Sequence, residues 1–201
     1  MRLSFKTYWA VTTGLTTCLG AGSGGGIGYA MYDDAKVALL SLWTFPETVV
    51  GDVVVTMLII GVLTTLTSSQ LTKRDLAMGM CNRLIVIHSP PNLVRFRPLR
   101  VLHNSLCGPG APRSMVRVVV DCFVVGLLLG ACTTLLVGVP FIVAGWLWTG
   151  DEWTRTGFAW FKACVGALTC GLVHALVCYT VSAGDDKRPH ASTEPAGEGE
   201  T

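Results

Sequence analysis

The chain of 201 residues has 51% hydrophobic and only 14% charged side chains, a net charge of +2 and a mean hydropathy of +0.54. That balance excludes a water-soluble globule of this length. Twelve of the fifteen Lys and Arg residues fall in the N-terminus, one central loop and the C-terminal tail, flanking apolar runs and not lining a recognition helix, which excludes nucleic acid as a partner.

The composition predicts an all-α integral membrane protein folded as a four-transmembrane-helix bundle. A bilayer core about 30 Å thick needs roughly 20 apolar residues in a helix. The first charge-free stretch covers residues 8–29, diluted by Thr12, Thr13, Thr16, Thr17 and the glycines from Gly20 to Gly28. A competing reading is a signal peptide, with Arg2 and Lys6 as its basic start and cleavage at Ala21-Gly22. A retained anchor is preferred, because Gly, Ser and Thr are tolerated where membrane helices pack together. Gly20-Ala21-Gly22-Ser23-Gly24-Gly25 also matches the GxGxxG spacing of dinucleotide sites, but no strand precedes it, so helix packing is the better account.

The second stretch is residues 48–71, and a basic loop, residues 72–117, follows. The third stretch, residues 118–148, is longer than a perpendicular helix needs, and Gly138 with Pro140 predicts a kink or tilt. Trp146, Trp148, Trp153 and Trp160 bracket Asp151-Glu152 and mark a membrane interface. The fourth stretch is residues 157–181, and the tail 184–201, rich in Pro, Gly, Glu and Thr, is expected to be disordered.

Orientation follows from the positive-inside bias. The central loop holds Lys73, Arg74, Arg83, Arg95, Arg97, Arg100, Arg113 and Arg117 against one acid, Asp75, while the two short loops hold five acids against Lys36 and Arg155. Both termini and the basic loop are therefore expected in the cytosol. Six of the eight cysteines fall in the spans and the other two, Cys81 and Cys107, in the basic loop, so a disulfide framework is not expected.

Helices in lipid associate through close backbone approach, which makes rows of small residues informative. The third span offers Cys122, Gly126, Gly130, Thr134 and Gly138, and the fourth Cys164, Ala167, Gly171, His174 and Cys178. These two rows are predicted to meet each other, or to meet Gly22 and Gly26 of the first span.

Ionisable groups inside spans are costly and normally face a partner. Asp52 and Lys162 lie at matching depth near the outer side, and Asp121 and His174 lie toward the cytosol, predicting two interhelical pairs. A functional version makes these groups stations of a proton or cation path, with His174 changing charge near neutral pH. The plainer version, which carries more weight, is that they snorkel or pack, because no ionisable group lies at the midplane. Cys170, His174 and Cys178 present soft ligands at four-residue spacing, but on one straight helix they diverge over more than about 10 Å, too far for one ion without other helices. No metal or other cofactor is therefore expected. No Ser/His/Asp set, paired catalytic carboxylates or HExxH motif occurs, so an enzyme is not expected. In the basic loop, Arg95, Arg97 and Arg100 alternate with apolar residues and are candidates for contact with anionic lipid headgroups.

Trp43-Thr44-Phe45-Pro46-Glu47-Thr48, then Gly51-Asp52, Thr56, Lys73-Arg74-Asp75-Leu76 and Gly79, resemble a pattern in a family of uncharacterised small fungal membrane proteins. The resemblance covers residues 43–79. It implies a multi-span helical protein with a polar second helix, and brings no activity, substrate or catalytic residue. The expected function is that of a non-enzymatic accessory subunit or scaffold, with a small transporter or channel-forming oligomer for protons or cations as the alternative. The expected partners are the lipid bilayer and a membrane protein, either another chain or a second copy.

Overall fold

The computed structural model describes residues 3–32, 49–80, 114–150 and 153–182, and these are all-helical. Helix α1 spans Phe5–Met31, α2 Val49–Ala77, α3 Met115–Thr133, α4 Val139–Thr149 and α5 Arg155–Ser182. A π-helical segment, Thr134–Gly138, joins α3 to α4 without a break. Three helices are long and apolar enough to cross a membrane: Val49–Ala77, Met115–Trp148 and Arg155–Ser182. The second predicted stretch runs to Ala77 and not to Leu71, so Thr72 and Asp75, assigned to the loop on sequence grounds, belong to a helix and are buried.

The π segment sits where the kink was expected, and Pro140 explains it. Proline has no N–H to give to the carbonyl four residues back, and its ring clashes there. The turn before it widens: the Val139 N–H reaches five residues back to the Thr134 carbonyl, the hydrogen-bond pattern of a π-bulge. Thr133 and Thr134 support the widened turn by donating their hydroxyls to the Gly130 carbonyl at 2.9 and 2.8 Å.

Helix α1 is not among the three that are apolar enough to cross, and several of its hydroxyls are satisfied locally. Thr12, Thr16 and Thr17 each donate to the carbonyl four residues back at 2.8 Å, so their hydroxyls need no water. Ser4 caps the start, accepting from the Thr7 N–H. At the other end the guanidinium of Arg155 donates twice to the Tyr29 carbonyl, at 3.1 and 2.9 Å, and stacks 3.9 Å from the Tyr29 ring centroid. A cation at a helix C-terminus is favourably placed against the dipole and the last carbonyls.

Helix α5 is the centre of the bundle. α1 packs antiparallel along one side of it, α2 runs parallel on another, and α3 packs antiparallel on α2. The α1 contact is backbone on backbone. A Cβ added to Gly20 would lie 2.6 Å from the Gly166 carbonyl oxygen, one at Gly24 2.6 Å from that of Lys162, and one at Gly166 2.6 Å from that of Gly20. Gly22 and Gly26, the pair expected to pack, have nothing within 4 Å. The working register is Gly20, Gly24 and Gly28, one helical face away, because both series have the same four-residue spacing and sequence alone does not choose between them. The small row of the third span also goes elsewhere than expected. Gly126 abuts Gly61 and Val62 of α2, Gly130 abuts Met57 and Leu58, and Gly138 abuts Met57. The fourth-span row is split: Cys164 is exposed, Gly171 meets Thr17 of α1, and His174 turns toward α2.

Gly24→Ala is expected to destabilise the fold by about 1–3 kcal/mol, since the new methyl meets backbone that cannot step aside. Gly22→Ala is expected to leave stability unchanged or slightly raised, because alanine is the better helix former. Reversible unfolding in mixed micelles compares the two.

Candidate functional site

The two ends of the bundle differ in chemistry. At one end Trp153, Phe158 and Phe161 form an edge-to-face and stacked cluster with centroids 5.2–6.4 Å apart, and Tyr32 adds an edge contact to Phe158 at 5.0 Å. Val49, Val53, Met57, Ile142 and Val165 complete this core. Aromatic pairs of this geometry contribute beyond the area they bury.

Within this aromatic end the Lys162 ammonium lies 2.8 Å from Asp52 Oδ2, and Lys162 is only 4% exposed. The structure thus brings together the two oppositely charged residues that share a depth on α2 and α5. The lysine stem runs over Gly28, whose missing side chain makes room for it. The ammonium also faces the Tyr32 and Phe158 rings at 5.7 and 5.8 Å from their centroids, a cation–π arrangement. A charge in this setting is acceptable because a carboxylate and two ring faces replace its water.

Toward the other end a ladder of polar side chains joins α2 to α5. Thr64 Oγ1 and Cys170 Sγ share a hydrogen bond at 3.5 Å, and one turn on, Ser68 Oγ and His174 Nδ1 share one at 2.8 Å. A turn further Thr72 lies beside Cys178. The offset between partners is constant because the helices run parallel, so residues four apart on one meet residues four apart on the other. On the adjoining face of α2, Ser69 Oγ lies 3.6 Å from Cys122 Sγ of α3.

His174 is not paired with Asp121, which corrects that expectation. Its Nδ1 goes to Ser68, and among the described residues its Nε2 has no hydrogen-bond partner. His174 faces α2, whereas Asp121 is half-buried on α3, and the small-residue face of α3 is turned to α2 and not to α5. Cys170, His174 and Cys178 do share the buried part of α5 but engage separate partners on α2. Among the described residues no group of His, Cys, Asp and Glu is arranged to hold a metal ion. Arg95, Arg97 and Arg100 lie outside the described residues.

One buried group escapes the sequence reading. At the far end of the ladder the Tyr8 hydroxyl donates to Asp75 Oδ2 at 2.6 Å, joining the start of α1 to the end of α2, and the Leu3 N–H donates to the Met80 carbonyl at 3.0 Å. Asp75 follows Lys73 and Arg74 and reads as a solvated loop acid. The signal that could have found it is the four-residue series Thr64, Ser68, Thr72, which extends the polar face of α2 to that level.

Searches against protein-family models, curated proteins and solved structures found no match to this chain.

Asp52→Leu alone is expected to cost about 3 kcal/mol, since it leaves the Lys162 charge buried without its counter-ion. Adding Lys162→Met is expected to recover most of that loss, and a double-mutant cycle by micellar unfolding measures the coupling. Ser68→Ala, which leaves both His174 nitrogens without partners, is expected to cost about 1–2 kcal/mol. Thr67→Ala, on an exposed hydroxyl that bonds its own helix, serves as the neutral control.

Proposed function

We propose that this chain is a multi-pass membrane protein of four spans, with α1 retained as the first, that acts without catalysis as an accessory subunit or scaffold. The observation that carries this reading is what the intramembrane polar groups are used for. Lys162, Cys170, His174, Tyr8 and Asp75 each engage a partner on a neighbouring helix, which is how polar groups specify helix pairing in lipid. Between the Lys162–Asp52 pair and the Thr64–Cys170 rung lie Met57 and Val165, both fully buried and apolar. Among the described residues α2 and α5 place no Asp, Glu, His, Lys or Arg at that level, which weighs against the transporter alternative. Retention of α1 is supported by its glycine contact with α5, which cleavage at Ala21-Gly22 would divide.

In the proposed topology both termini and the basic loop face the cytosol. In sealed microsomes carrying the full chain, epitopes at either terminus are expected to be digested by added protease, and one placed within residues 34–47 protected. For function, mild-detergent extraction of the tagged chain from its native membranes is expected to recover one other membrane protein in fixed stoichiometry. Recovery of a homo-oligomer alone, with a vesicle proton or cation flux abolished by Asp52→Asn or His174→Ala, would overturn this reading in favour of transport.

A further inference from the structure

We propose that the end of the bundle opposite the aromatic cluster is a binding surface for anionic phospholipid headgroups, built from Lys6 of α1, Lys73 and Arg74 of α2, and Arg117 of α3. The cross-helix contacts fix the depth of each cation. The Tyr8–Asp75 hydrogen bond sets Lys6 just beyond the level of Asp75, because α1 and α2 run in opposite directions. The Ser69–Cys122 contact sets Arg117 level with Arg74 on the antiparallel α3. Three helix ends thus place four cations in a layer about one helical turn thick. Lys6, Arg74 and Arg117 are exposed in it and Lys73 is half-buried.

The acid that would offset this charge has been turned inward. Asp75 belongs to the same layer, but it is 7% exposed and its carboxylate accepts from the Tyr8 phenol. A headgroup meets the cations of α2 without the aspartate that follows them in sequence. Asp121 lies a turn deeper than Arg117 on α3 and is half-buried. Against the cation layer, on the side toward the bundle centre, stand the exposed apolar residues Leu71, Val119 and Val120. Cations followed in depth by bare apolar surface repeat the order of a phospholipid, with phosphate first and acyl chain behind. A zwitterionic choline headgroup brings its own cation and cancels the attraction, whereas a serine or inositol headgroup keeps a net negative charge.

This inference rests on the four-span reading, which puts that layer at headgroup depth. The test uses the full chain in nanodiscs of equimolar phosphatidylserine and phosphatidylcholine, extracted into mild detergent, with the retained lipid counted by mass spectrometry. Retained phosphatidylserine is expected to exceed phosphatidylcholine about fivefold at low salt. The excess should fall to parity in the combined variant Lys6→Gln, Lys73→Gln, Arg74→Gln and Arg117→Gln. Ala77→Asp, a single change at an exposed position of the same layer, should lower it without touching the core, and Arg155→Gln at the opposite end should leave it unchanged. Equal retention of the two lipids by the unaltered chain, or an excess that survives both the combined variant and Ala77→Asp, would overturn the proposal. Failure of the four-span reading shows separately, in the protease pattern of the terminal epitopes.

Discussion

Helices surrounded by lipid gain little by hiding apolar side chains from one another, so association depends on close backbone contact and on polar groups that find partners only in the assembled state. Both requirements converge on α5. Its Gly166 side admits the backbone of α1, and its Cys170 and His174 side meets the hydroxyls of α2. The same helix carries Lys162, whose position requires that α2 bring Asp52 and that α1 present a glycine where the lysine stem passes. The placement of both α1 and α2 is thus tied to one helix.

The two kinds of contact do different jobs. Glycine stripes set distance but are tolerant of sliding, since a shift by one helical turn puts small residue against small residue again. The ion pair is not tolerant, because α2 shifted by one turn would withdraw the Asp52 carboxylate from the buried Lys162 ammonium. Parallel α2 and α5 therefore draw their register from side chains, while the antiparallel pairs α1–α5 and α2–α3 draw their spacing from missing ones. The buried Tyr8–Asp75 bond adds a fixed point for α1 beside its glycine contacts, the Trp9 indole bond to the Ala175 carbonyl and the Arg155 clasp at Tyr29.

Much of this is legible in the sequence and some is not, for identifiable reasons. The three apolar helices are readable because a long apolar run without charge is what a bilayer core demands of a helix, and the place of the irregular turn is readable from Pro140. The shared depth of Asp52 and Lys162 follows from counting turns inward from the same side of the membrane. The glycine register is not readable in the same way: Gly22 and Gly26 repeat at the spacing of Gly20 and Gly24, and only the partner helix distinguishes them. The Asp121–His174 pairing fails for a related reason, since counting turns gives the depth of a residue but not the direction in which its helix face is turned. Asp75 is hidden by its basic neighbours, which make the end of α2 look like a loop.

The docking of α1 against α5 also says something about the order of assembly. Helix α1 packs on α5, so the chain between Met31 and Arg155 must be made before Gly20 and Gly24 meet Gly166. At roughly 10 residues per second that interval is on the order of ten seconds. During it α1, which is not among the three helices apolar enough to cross a membrane, has both glycine faces open, while α2 and α3 are free to pair as a hairpin. Synthesis itself thus creates a window in which α1 lacks its main packing partner, and the arrival of α5 closes it.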